Sequence, residues 1–321
     1  GSHRVVVAKP GTPMHSLPPR STRRRARVTA WIAALTMLVS LGATARAEAP
    51  DPATILEQAF EHRYDVDLTA DIELTMSDRA GREHRRRFAA ASKIIDGRLH
   101  SVGKIDWPEY LRDMTILSIE ADGRDHDAFV YLPSMQRVRR ITTAQKGDAF
   151  FGTDVTYEDL ERVRARDFRI DEFAEAVTAG EPTWHVRATP LRRMSYTRCE
   201  LFIAKADLAL LEMRYYRERS PEPHRIVRAD RASMLVEDGH IIPTRFVVEN
   251  LYRKTKTEAV FRNVSINPPI DDRLFSVSVL QRNPDLRSRR AVREAAEEAE
   301  RSEAESPAAS ASPEVGDGTC R

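Results

Sequence analysis

From residue 66 the chain alternates apolar and polar positions almost without fault, with Val66, Leu68, Ala70, Ile72, Leu74 and Met76 on one side and Asp67, Thr69, Asp71, Glu73 and Thr75 on the other. Period two over eleven residues predicts a strand with one buried and one wet face. Residues 77–81 supply turn chemistry before a second strand through Arg87 and Ala89, which makes a hairpin. Strand-like runs recur at 98–105, 114–120, 125–132, 184–189, 196–204 and 210–217, punctuated by Asp122-Gly123, Pro133-Ser134, Gly180 and Ala206-Asp207. Past Pro223 they continue at 226–236, 244–252 and 258–266, with a turn at Asp238-Gly239. One clear helix precedes residue 140: Asp51-Pro52 suits its first turn, and Ile55, Leu56, Ala59 and Phe60 fall on one face.

Short antiparallel steps with a single helix at the start predict a mainly β (α+β) fold. Alternating strand and helix with βαβ spacing is absent, which argues against a parallel sheet. The even spacing of strands points to a large curved antiparallel sheet, partly closed, of the barrel or half-barrel kind. One domain over 48–284 accommodates it. Beyond Pro284 the composition shifts to Arg, Glu and Ala and then to Ser, Pro and Ala, so 285–321 reads as a charged tail passing into disorder.

Residues 1–47 follow a different pattern. They hold no acidic residue and carry a basic cluster (Arg23, Arg24, Arg25, Arg27), an apolar run over 28–41, and Ala45-Arg46-Ala47. That order predicts a secretory signal peptide cleaved near Ala47, its apolar run being shorter than the roughly 20 residues a membrane-spanning helix needs. No cysteine lies near the cleavage site to accept a lipid anchor, so a soluble periplasmic protein is expected. Cleavage also changes the charge. The chain has 51 Lys+Arg against 49 Asp+Glu; eight of the basic residues lie in the leader, so 43 remain against 49, a net −6. Charge therefore offers no case for a nucleic-acid partner. The cysteines are Cys199 and Cys320. A bridge is permitted in an oxidising compartment. Cys320 stands in the polar tail, however, and Cys199 reads as a small buried hydrophobe.

Candidate chemistry is sparse. There is no G-x-S-x-G elbow, no P-loop and no G-x-G-x-x-G after a strand, so no catalytic residue is assigned. In Asp125-His126-Asp127 a strand would put both carboxylates on one side and the imidazole on the other, and three ligands cannot converge from that geometry. The remaining histidines lack ligand spacing, so neither metal nor cofactor is expected. Glu158-Asp159 and Asp271-Asp272 fit capping and turn roles. Arg85-Arg86-Arg87 and the group Arg137, Arg139 and Arg140 allow two readings: contacts to lipid phosphate or an acidic partner, or a charged sheet edge that blocks strand addition.

The other candidate is a surface rather than a motif. Leu68, Ile72 and Leu74, with Trp184, Val186, Leu211, Met213, Tyr215, Phe246 and Val248, place much apolar area on one side of the sheet. Few helices are available to cover it. Either this is an ordinary packed core, or part of it lines a cavity for an apolar ligand.

The stretch 129–141, Phe-Val-Tyr-Leu-Pro-Ser-Met-Gln-Arg-Val-Arg-Arg-Ile, is followed by 150–160, Phe-Phe-Gly-Thr-Asp-Val-Thr-Tyr-Glu-Asp-Leu. Together they resemble the signature of the LolA-like outer-membrane lipoprotein-sorting protein family, in which a strand turn reading YLP and RVRRI precedes a segment reading SFMGSDFTYEDL. Here Phe150-Phe151-Gly152-Thr153 keeps the order of aromatic and small residues. The resemblance extends over most of 50–284. It implies a half-barrel closed by helices over an apolar cavity, export to the periplasm, and binding of a lipid or lipoprotein acyl chain without enzymatic activity. The partners it implies are an inner-membrane exporter of the resistance-nodulation-division type or an outer-membrane acceptor. Within the motif, Asp154 or Thr156 is expected to cap a short helix whose Tyr157 and Leu160 close the end of the sheet.

The resulting expectation is a carrier that shields an acyl chain between envelope membranes. The alternative is a non-catalytic adaptor of an export system of that type, docking through its sheet edge and arginines. An envelope hydrolase is a third class, without a local constellation behind it.

Overall fold

Asp51 accepts a hydrogen bond from the Thr54 amide at 3.0 Å and Pro52 follows at the first helical position, so α1 (Pro52–Tyr64) starts where its cap chemistry dictates. In this computed structural model the described residues are 50–121, 126–282 and 286. The expected leader, almost all of the tail, the Asp122-Gly123 turn and Cys320 lie outside them. Contacts divide the chain into Gly1–Ala49 and Pro50–Arg321, and only residues of the second unit are described. No helix among the described residues is long and apolar enough to cross a membrane.

After α1 come β1 (Leu68–Ser77), β2 (Glu83–Ile95), β3 (Arg98–Trp107), β4 (Thr115–Ile119), β5 (Asp127–Leu132) and β6 (Arg137–Ile141), each pairing with the one before it. A long crossing segment of 3-10 turns leads to β7 (Phe168–Thr178), β8 (Glu181–Pro190), β9 (Arg198–Ala204), β10 (Leu210–Tyr216) and β11 (Arg225–Ala229). Next come a small separate hairpin, β12 (Met234–Glu237) with β13 (His240–Pro243), then β14 (Arg245–Asn250) and β15 (Thr255–Ile266). The main sheet has thirteen strands among the described residues, in the order β6-β5-β4-β3-β2-β1-β15-β14-β11-β10-β9-β8-β7. All its pairs are antiparallel and it does not close, which is the mainly β half-barrel expected from the strand spacing. Pairing of β1 with β15 joins the first and last strands at the centre of the sheet.

One face carries the main core, where Leu68, Ile72 and Leu74 of β1 meet Phe88, Ile116 and Val130 from its neighbours and Leu56, Ala59 and Phe60 of α1. The alternation read in β1 is borne out, its even-numbered positions being the buried ones up to Leu74. The opposite face of β2–β5 is covered as well, which no reading of the strand runs anticipated. Ala89, Ala91, Val102 and Leu117 pack there against a 3-10 turn at Asp272–Phe275 and against α2 (Val277–Leu280), with Leu274, Val279 and Leu280 fully buried. A four-residue helix is too short to show a helical period, so this cover leaves no periodic signature.

Three strands lie outside the runs of strand-like residues: β6, β7 and the four-residue β13 of the separate hairpin. β6 is a five-residue edge strand with three exposed arginines, and β7 is an edge strand whose alternation is broken by a register shift between Ile170 and Glu172. The single run expected over 226–236 is two strands, because Asp230 accepts from the Ala232 amide and opens a turn at Arg231–Ser233.

Candidate functional site

The crossing segment between β6 and β7 is anchored by aromatic contacts. Phe150 is fully buried, edge-on to Phe88 at 5.8 Å and to Tyr157 at 5.6 Å. The chain then reverses through Phe151 (φ 47°) and Gly152 (φ 80°), the left-handed conformation that explains a glycine at the second position. Arg86 Nε donates to the Phe151 carbonyl at 3.1 Å, so one arginine of the basic triplet holds this reversal in place.

Thr156 is the cap of the following turn, Tyr157–Leu160. Asp159 Oδ2 accepts from the Thr156 amide at 2.8 Å and from its hydroxyl at 2.9 Å, closing a capping box. Asp154 does something else. Its buried carboxylate accepts from the Thr255 hydroxyl at 2.5 Å and the Thr257 hydroxyl at 2.9 Å, tying the segment to β15. Of the two capping candidates, Thr156 caps.

Between this segment, α1, the β12–β13 hairpin and the sheet lies a cavity of about 240 Å³, partly open to solvent. Its walls are mostly apolar, with Leu68, Val155, Leu201, Met213, Val227 and Val248 among them. Arg63 caps aromatic rings at its edge, 5.3 Å from the Tyr64 ring centroid and 5.8 Å from that of Phe246. Three carboxylates, Glu158, Asp159 and Glu161, also line the cavity.

Each of those carboxylates is held by partners that sequence distance hides. Glu158 accepts from the Ser195 amide at 2.8 Å and from its hydroxyl at 3.1 Å. Burial raises its pKa above the ordinary carboxylate range, and the two Ser195 bonds offset this in part. Glu161 pairs with Lys146 at 2.5 Å and Arg192 at 2.8 Å, with His126 Nε2 4.0 Å away. Burial pushes the pKa of His126 down despite Glu161. Asp159 forms a fork with the guanidinium of Arg225, whose Nη2 donates to Oδ1 at 2.7 Å and whose Nη1 donates to Oδ2. Burial disfavours the Arg225 charge, but Asp159, Tyr215 and Glu158 together outweigh it and keep the group firmly protonated.

The predicted apolar residues divide among three places. Leu68, Met213, Tyr215, Phe246 and Val248 line the cavity together. Ile72, Leu74 and Val186 are buried in the adjoining core, and Trp184 packs against it, stacked on Phe173 at 5.0 Å with Lys205 over its ring. Leu211 faces another cluster, with Ala204, Ala209 and Ile241, because the β9–β10 register shifts between Leu210 and Glu212 and turns it away from Met213. Arg137, Arg139 and Arg140 stand exposed on the β6 edge, away from the cavity, and Arg140 pairs with Asp127. Asp127 and His126 thus turn to different partners, while Asp125 lies outside the described residues. Cys199 lines the cavity as a buried thiol whose pKa burial raises.

Tyr196, Phe168, Leu201 and Arg225 were not among the candidates. Their individual surroundings carry no motif, and only long-range strand pairing, together with the crossing segment, which has no period, brings them to the site.

An open antiparallel half-barrel with helices and loops over one apolar face, enclosing a cavity, defines the LolA-like class of fold. Solved structures agree with this. A domain named for outer membrane lipoprotein sorting, from Vibrio parahaemolyticus, has a TM-score of 0.66 at 18% identity, covering 71% of this chain and 97% of its own. A DUF1329 family protein from Desulfovibrio piger has a TM-score of 0.64 at 22% identity, covering 72% and 100%. A LolA superfamily protein from Nitrosomonas europaea has a TM-score of 0.58 at 19% identity, covering 71% and 98%. The LolA-like resemblance read from 129–141 and 150–160 is thereby borne out at the level of the fold. Residues 99–282 match the model of a family described as "Uncharacterized protein", and the chain belongs to that family. No curated protein matches it in sequence.

Proposed function

We propose that this protein is a periplasmic carrier that shields the acyl chain of a lipid or lipoprotein during passage between the membranes of the bacterial envelope. The observation that carries this reading is the partly open, largely apolar cavity between α1 and the sheet. Burial of each methylene contributes about 0.8 kcal/mol, so about ten give roughly 8 kcal/mol before ordering costs, which is the micromolar scale. The leader expected over residues 1–47 would deliver the chain to the periplasm. Shielding is the mechanism, and no bond is made or broken.

The test is native mass spectrometry of protein taken from its own periplasm, with uptake of a fluorescent fatty acid as a second measurement. Bound lipid and saturable uptake are expected. Val227→Trp, which fills the cavity from β11, should abolish uptake while circular dichroism stays unchanged. Protein that carries no lipid and takes up none would end the carrier reading.

The exposed arginines of β6 support the adaptor of an export complex as a second reading. In that case Arg137→Glu with Arg139→Glu would weaken capture of the membrane partner and leave lipid uptake alone.

A further inference from the structure

A second, smaller cavity of about 90 Å³ lies against the first, between the crossing segment and the ends of β10, β11 and β14. Its lining is cationic. Arg217, Arg225 and Arg253 reach it from three separate stretches of chain, with His224 beside them. Arg217 and Arg253 are exposed at its rim, and neither has an ion-pair partner among the described residues. Arg225 and His224 are only 3% and 5% exposed, yet Arg225 Nε and His224 Nδ1 have no hydrogen-bond partner among the described residues. A buried polar atom of this kind costs about 1–3 kcal/mol when left unmet; Arg225 Nε is a donor, and His224 Nδ1 donates or accepts according to its tautomer.

The carboxylates nearby do not answer these atoms. Asp154 also lines the cavity, but both its oxygens take threonine hydroxyls. Asp159 is engaged by Arg225 Nη1 and Nη2 and by Thr156. The lining itself holds three guanidinium groups against one carboxylate, Asp154, with Asp159 and Glu158 behind it, each already engaged. Gly147 closes one wall so tightly that a Cβ there would stand 2.7 Å from Ser195 Cβ. The space holds several water-sized groups, which suits a compact oxyanion better than an apolar one.

We propose that this cavity binds a phosphate group, either the headgroup of an anionic lipid or a free phosphate. Arg217 and Arg253 would close over the oxygens as Arg225 Nε donates from below. Two observations connect it with lipid. The cavities share a wall: Tyr215 lines the first and lies 4.5 Å beneath the Arg225 guanidinium, and Glu158 of the first bonds Ser195 of the second. Exposed Leu251 and Tyr252 border the rim, placing apolar side chains next to cations as a membrane-facing surface does. The lipid form of the proposal rests on the carrier reading, whereas the anion site does not.

The experiment is titration calorimetry of the full chain at fixed ionic strength with three probes: inorganic phosphate, dihexanoyl phosphatidic acid and uncharged dihexanoylglycerol. Wild-type protein should bind both phosphate-bearing probes, and Arg217→Gln with Arg253→Gln, both at exposed positions, should weaken each at least tenfold while dihexanoylglycerol binds as before. Binding of phosphate with this sensitivity but of neither lipid beyond it keeps the anion site and removes the carrier reading. Equal binding of the two lipids with no response to phosphate keeps the carrier and overturns the site. Phosphate binding that ignores the paired substitution overturns it as well.

Discussion

Arg225 is a guanidinium taken almost wholly out of water, and it cannot shed its proton to escape the cost. Asp159 is what makes its burial tolerable, so Asp159→Asn should cost about 3–5 kcal/mol in urea unfolding with an unchanged slope. A loss below about 1 kcal/mol would mean that the fork is dispensable. The neighbouring histidine sets an acid limit. Burial first, then Arg217 and Arg225, push the His224 pKa down to about 4. An unfolded chain takes up that proton near pH 6.5, so the folded state binds fewer protons between the two values and loses stability as pH falls from about 6.5 to about 4. At about 1.4 kcal/mol per unit the loss is at most about 3 kcal/mol, and His224→Gln should flatten that part of the stability profile. If phosphate fills the adjoining cavity, its charge should favour the protonated ring and soften the same loss. None of these partnerships could be read along the chain, because Asp159 and Arg225 are 66 residues apart and neither sits in a motif for ion pairing.

Element boundaries followed local chemistry wherever that chemistry was regular. α1 begins at Asp51-Pro52 and β1 keeps its alternation, since a cap and a period of two are properties of neighbouring residues. Bulges defeat the same logic: one extra residue in β10 sends Leu211 to the opposite cluster, and another hides β7. The crossing segment has no period and was legible only as a family signature. Its structural basis is now visible, with Phe150 driven between Phe88 and Tyr157 and Thr156 boxed to Asp159. Phe150→Ala should therefore cost about 3–5 kcal/mol and loosen the cavity wall, raising hydrogen exchange over 149–163. Thr156→Ala removes only the cap and should cost about 1 kcal/mol. If the two substitutions proved equally costly, the aromatic anchor would not be what holds the segment.

At the scale of the whole molecule, the mainly β half-barrel was legible from strand spacing, whereas the order of its strands was not. Pairing of β1 with β15 depends on two segments nearly 200 residues apart, and it is this closure that sets Phe246 and Val248 beside Leu68 in one cavity. An unclosed sheet has two free edges, and each is a template for another chain. The edge at β6 is only five residues long and presents Arg137, Arg139 and Arg140, with Arg140 turned to Asp127 on β5. Like charges on two such edges would oppose pairing between copies, and salt would weaken that opposition by screening exposed groups. Arg137→Thr with Arg139→Thr keeps strand propensity and removes two charges, so sedimentation velocity should show self-association that grows with concentration. Wild-type protein should remain at one sedimentation coefficient under the same conditions, at low salt especially. A doubly substituted chain that also stays unassociated would shift the role of these arginines from guarding the edge to contacting a partner, which capture of an envelope membrane protein by the wild type could then establish.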